Sequence, residues 1–140
     1  MRARVLLVGF VLLASGCGAQ PPAAPERGPC ADFQLDVERI WSAGVKAEIM
    51  GKGGGVEAKK REVVATKLDQ LSDDWVRLRT ATCRDHFDRR LITADEYRKR
   101  VTCFDDRLDQ QRKLVALAKA DDTGAAEALA RKLESPDACK

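Results

Sequence analysis

Two runs of side chains with the same stride constrain this chain most. Val64, Leu68, Leu71, Trp75, Leu78 and Thr82 step by four and three residues, and so do Tyr97, Val101, Phe104, Leu108, Gln111 and Val115. That stride lays each run along one stripe of a helix. No Gly or Pro falls between Glu57 and Arg90. Ser72-Asp73-Asp74 offers a helix-start signal, yet the first seam crosses it without changing phase. The spacing therefore predicts one helix from Glu57 to about Arg90, roughly 50 Å long. Thr93-Ala94-Asp95-Glu96 has the pattern of a capping box and starts the next helix, which runs to about Ala120. Two seamed helices joined by a short turn predict an antiparallel hairpin.

The flanks read as helix too. Asp32 is an N-cap candidate, and Phe33, Val37, Ile40, Trp41, Val45 and Ile49 recur at helical spacing. This predicts one first helix, stopped by Gly51-Lys52-Gly53-Gly54-Gly55. Asp121-Asp122-Thr123-Gly124 breaks the third helix. A short fourth carries Ala126, Leu129, Ala130 and Leu133 until Ser135-Pro136 ends it. The expected fold is all-α: a disulfide-tied bundle of three main helices plus a short fourth, over residues 30–140, with the long hairpin at its centre.

The chain has 140 residues, and its beginning differs from the rest. Arg2 and Arg4 precede an apolar run from Val5 to Ala14, too short to span a bilayer but of signal-peptide proportions. Ala14-Ser15-Gly16-Cys17 follows. The segment from Leu13 to Cys17 resembles the lipobox of bacterial lipoproteins, with Ala14 where that family more often has Leu. The resemblance implies cleavage before Cys17 and triacylation of that residue, and several acyl chains give a stable anchor. Residues 1–16 are then a signal peptide. Residues 17–29 are the lipidated Cys and a Pro-rich tether, since Gly18 to Pro29 holds four Pro and no large apolar side chain. Gly18 is not the Asp that resembles an inner-membrane retention signal, so the implied place in a Gram-negative cell is the outer membrane, facing the periplasm.

Processing changes the charge and cysteine balance. The whole chain carries 25 Lys and Arg against 22 Asp and Glu. Removing Arg2 and Arg4 leaves a net charge of +1, without the basic excess of a nucleic-acid binder. Cys17 taken as the anchor leaves Cys30, Cys83, Cys103 and Cys139, an even set in an exported chain. Four cysteines allow three pairings. Cys83 and Cys103 each lie ten residues from Thr93, which predicts a Cys83–Cys103 bridge across the hairpin and leaves Cys30–Cys139.

The sequence offers little chemistry. The glycine loop fits neither a P-loop nor a dinucleotide fingerprint. Cys83-x-x-His86 has zinc-like spacing but too few companion ligands. His86 is expected as a solvated residue near a helix end, because adjacent Asp85 points elsewhere. Asp73-Asp74 and Asp105-Asp106 mix with Arg77, Arg79, Arg107 and Arg112 and read as salt-bridged solvent faces. Arg89-Arg90 and Arg98-Lys99-Arg100 cluster around the hairpin turn, read first as a solvated turn and second as a contact for anionic headgroups or a partner. Trp41 and Trp75 read as core residues between the first two helices, or as walls of a ligand pocket there. No catalytic motif, metal site or cofactor is expected.

The ordered pattern Cys30, Trp41, Trp75-Val-Arg-Leu-Arg-Thr-Ala-Thr-Cys83, Arg100-Val-Thr-Cys103-Phe-Asp-Asp-Arg-Leu108 and Pro136-Asp-Ala-Cys139 resembles the extracytoplasmic helical region of membrane serine/threonine kinases of the myxobacterial type. Phe104 stands where that family usually has Leu, and this chain has neither the kinase domain nor the repeats. The resemblance implies an exported, disulfide-tied helical module. The expected function is a non-enzymatic cell-envelope lipoprotein, held to the membrane by its N-terminal lipid, that binds an envelope protein partner. The alternative is a sensory accessory protein recognising a small ligand or peptide for an envelope signalling system.

Overall fold

A computed structural model describes residues 28–140; the expected signal peptide, Cys17 and most of the expected tether lie outside the described residues. Helix α1 spans Phe33–Glu38, α2 Ala43–Met50, α3 Val56–Phe87, α4 Ala94–Lys119 and α5 Thr123–Lys132, and a 3-10 turn, Pro136–Cys139, closes the chain. There is no strand among the described residues.

The long hairpin has the predicted form. All six residues of the first seam are buried in α3. On α4, Phe104, Leu108, Gln111 and Val115 are buried, while Tyr97 and Val101, nearer the turn, are half-buried. The Thr93 hydroxyl accepts the Glu96 amide at 3.2 Å, and the Glu96 carboxylate accepts the Thr93 amide at 2.8 Å, completing the capping box. At the seam's centre the Trp75 indole N–H donates to the Phe104 carbonyl at 2.7 Å. The Ser72 hydroxyl donates to Gln111 Oε1 at 3.1 Å, so this buried polar pair is satisfied internally. Helix α5 seats Ala126 and Ala130 on α3 and α4.

The first helix is not continuous. The chain leaves helix after Glu38, and Ser42 adopts extended backbone angles while its hydroxyl accepts the Val45 amide at 3.2 Å. Ser42 is thus the N-cap of a second helix. The apolar period runs unbroken through this site, which hides the break. Because the chain turns there, adjacent Ile40 and Trp41 are both buried, and two short helices drape over α3 in place of one straight rod.

The cysteine pairing also differs from the predicted one. The bridges are Cys30–Cys83 and Cys103–Cys139, each with Cα atoms 5.6 Å apart. The cause is register. Helix α3 ends at Phe87 and α4 begins at Ala94, so the hairpin is centred near Arg90 and not at Thr93. Trp75 meets Phe104 and Arg79 meets Tyr97, which puts a position near 95 opposite Cys83. Cys103 lies about eight residues further along, roughly 12 Å of helix axis, beyond disulfide reach. Helix α1 supplies the partner for Cys83: the Phe33 ring stands edge-on to Trp75, 6.2 Å between centroids, and brings Cys30 over α3.

Candidate functional site

The two tryptophans separate into different roles. Trp75 is 2 % exposed and spends its N–H inside the hairpin, so it is core. Trp41 lies at the joint between α1 and α2, against α3, and lines a recess of about 270 Å³ together with Gln34, Val37, Lys46, Asp69 and Asp73. Its indole N–H donates to Asp69 Oδ1 at 2.8 Å, and the Lys46 ammonium donates to Asp69 Oδ2 at 2.5 Å. Partial burial works against the Asp69 charge, but the hydrogen bonds from Lys46 and Trp41 outweigh it and hold the carboxyl below its ordinary value. The recess therefore presents an ionised carboxylate clamped between an indole and an ammonium, beside Asp73, which has no ion-pair partner among the described residues. Such a floor is suited to binding a small polar group. Sequence placed Trp41 there but not Asp69, whose only signal is its position on α3 beside the buried Leu68.

A second cleft, about 320 Å³, opens where the glycine loop meets the start of α5. Arg61 is buried in it, with one guanidinium N–H 3.3 Å from Asp121 Oδ1 and its Nε unpartnered. Glu57 faces the same cleft and accepts from the Thr123 hydroxyl and, at 3.0 Å, from Lys60. Two carboxylates around one guanidinium leave no positive excess for a phosphate.

The hairpin turn holds the third constellation. His86 is half-buried, contrary to the expected solvated position. Its ring stacks on Tyr97 with centroids 4.6 Å apart, and Nδ1 lies 3.2 Å from the Ile92 carbonyl, so it closes the turn. Asp85 turns away from it to pair with Arg89 at 3.0 Å. Cys83 is committed to a disulfide, and no cluster of three metal-ligating side chains occurs among the described residues.

The acidic and basic pairs divide. Asp74 with Arg77, and Asp109 with Arg112, form ion pairs on one helix. Arg79 leaves the expected solvent face: it is buried, its guanidinium 4.4 Å from the Phe33 ring centroid and 3.2 Å from the Tyr97 hydroxyl. Arg107 reaches across to Glu134 beyond the end of α5. No described helix is long and apolar enough to cross a membrane. No family model, curated protein or solved structure matches the chain.

Proposed function

We propose that this chain is a non-enzymatic lipoprotein of a bacterial cell envelope, anchored through Cys17 and acting as a binding module on the periplasmic face of the outer membrane. The observation that carries the reading is the apolar run from Val5 to Ala14 leading through Ser15-Gly16 into Cys17, followed by a Pro-rich spacer. Two disulfides in a chain of this size support export to an oxidising compartment. The resemblance of the Cys30–Cys139 pattern to an extracytoplasmic helical region supports the same placement.

The test is expression of the full chain in a Gram-negative host, with mass spectrometry of its N-terminal peptide. A triacylated Cys17 is expected, and Cys17→Ala is expected to leave an uncleaved, unacylated precursor. A mature N-terminus at any other residue sinks the anchor.

A second reading, recognition of a small ligand or peptide for a signalling system, is favoured by the Trp41–Asp69–Lys46 recess. In a Trp75→Phe background Trp41 is the sole emitter, so a saturable change in its fluorescence on titration reports occupancy of that recess. A ligand whose binding is unchanged by Trp41→Phe and Asp69→Asn does not use it.

A further inference from the structure

The hairpin turn combines three features that no fold requirement explains. The first is exposed apolar surface: Phe87 is 46 % exposed and Leu91 69 %. Phe87 is also held in place, edge-on to both His86 and Tyr97 at 4.7 and 5.4 Å between centroids. The second is charge. From Arg84 to Arg100 there are six basic and four acidic residues. This net +2 stands in a processed chain whose total is +1, so the remainder is slightly acidic. Arg89 and Arg98 are taken up by Asp85 and Asp95. None of the described ion pairs involves Arg84, Arg90, Lys99 or Arg100.

The third feature is where the chain arrives. The Cys30–Cys83 bridge pins the start of the domain one helical turn from Phe87, and Gly28 to Ala31 border the same shallow cleft as Arg84 and Asp88. The far end of α3 lies over 40 Å away along its axis. The eleven residues from Gly18 to Gly28 span at most about 40 Å at full extension. A lipid on Cys17 thus ties the domain to the bilayer by its hairpin-turn end and not by its glycine-loop end.

We propose that the tip of the α3–α4 hairpin is a membrane-contact surface, with Phe87 and Leu91 seated at the headgroup boundary of an anionic bilayer and Arg84, Arg90, Lys99 and Arg100 facing its phosphates. A fixed aromatic beside an aliphatic residue, ringed by Arg and Lys, suits that boundary. The orientation rests on the anchor at Cys17; the lipid-seeking chemistry of the tip does not.

The test uses the full chain in vesicles of phosphatidylcholine and phosphatidylglycerol with brominated acyl chains, which quench tryptophan only on contact. Phe87→Trp and Leu91→Trp each add one emitter at the tip. Val63→Trp adds one at an exposed apolar site far along α3. Leu91 is largely exposed, so its variant keeps the test open if Phe87→Trp disturbs the turn. Quenching of about half the added emission at positions 87 and 91, and none at 63, is expected. Equal quenching at all three positions, or none at any, overturns the proposal, as does quenching confined to position 63.

The N-terminal peptide mass reports the anchor separately. Should Cys17 carry no lipid, the same three variants are added to the vesicles from solution. Quenching at 87 and 91 then upholds the tip without the anchor, and its absence at saturating lipid rejects the tip. Joint Arg90→Glu and Lys99→Glu substitution is expected to weaken that binding by roughly tenfold or more.

Discussion

The two disulfides close successive loops of the chain, Cys30 to Cys83 and then Cys103 to Cys139, and the hairpin turn belongs to neither. A cut in that turn therefore divides the covalent structure in two. An arginine-specific protease has Arg89 and Arg90 available there, both exposed. After cleavage and denaturation without reductant, one piece ending at Arg89 or Arg90 and one ending at Lys140 are expected to separate. Either alternative pairing carries a bridge across the cut and keeps the pieces joined until a thiol is added, so a single non-reduced species refutes the pairing.

The energetic consequence follows from loop length. In the chain-entropy description, loops with sequence separations of 53 and 36 each contribute about 4 kcal/mol, differing by only a few tenths. Replacing Cys30 and Cys83 together by Ala removes one bridge. Stability from urea denaturation is expected to fall by about 4 kcal/mol, and the melting temperature by roughly 15 °C for a domain of this size. Replacing Cys103 and Cys139 is expected to cost nearly the same. Under the Cys83–Cys103 and Cys30–Cys139 pairing, the first double replacement breaks both bridges and costs about 8 kcal/mol, most of the stability of an ordinary domain. A loss near that figure, or one below about 1 kcal/mol, counts against the reasoning.

Three further outcomes are expected. Gln111→Leu leaves the buried Ser72 hydroxyl without its partner and is expected to cost about 1–2 kcal/mol, whereas Ser72→Ala with Gln111→Leu is expected to be close to neutral; a double-mutant cycle in urea measures the difference. Arg90 holds a left-handed backbone, φ 55°, so Arg90→Gly is expected to raise stability by roughly 0.5–1 kcal/mol while weakening vesicle binding, read by thermal melting and vesicle sedimentation. Asp69 has a lowered folded-state value, so the stability its bonds contribute is fully present above the ordinary carboxylate value of about 4 and is lost as pH falls from there through the lowered folded-state value. In a Trp75→Phe background, Trp41 emission is expected to change over that acid range and to stay flat in Asp69→Asn.

What sequence could and could not reveal divides along one line. Position along a seam was legible; the partner across it was not. The stride of α3 and α4 placed Trp75, Phe104, Leu108 and Gln111 on buried stripes because helical periodicity is local. Register across the hairpin depends on where the turn is centred. A centre at Thr93 puts Cys103 about 12 Å from its true height and predicts the wrong bridge. Arg79 is expected on a solvent face for its charge alone, and Arg61 carries no expectation; both are buried. Arg61 sits three residues before Val64, on the seam, and Arg79 four after Trp75, so both stood at positions where burial was readable. The Ser42 cap has no counterpart among the sequence expectations, because a bent pair of helices preserves the apolar period of a straight one. Asp69 was beyond reach, since its role depends on two residues that the bend at Ser42 brings over α3.

The position of the Cys30–Cys83 bridge also decides how the domain bears a tether. With a lipid on Cys17, any drag on the domain enters through the segment just before Cys30. From there the force has two routes: through α1 and α2, of six and eight residues, or directly across the sulfurs into α3. The covalent route is far stiffer than two short helices held by side-chain contacts, so tension passes into the longest helix one turn from its tip. Helices α1 and α2, with the Trp41 recess between them, then hang off the loaded path and keep their geometry while the anchor moves. Reducing this one bridge redirects the load through Ser42 and the recess. A tethered chain with Cys30→Ala and Cys83→Ala is therefore expected to lose the Trp41–Asp69 contact under pulling forces that leave the bridged chain unchanged, with Trp41 emission in a Trp75→Phe background as the readout.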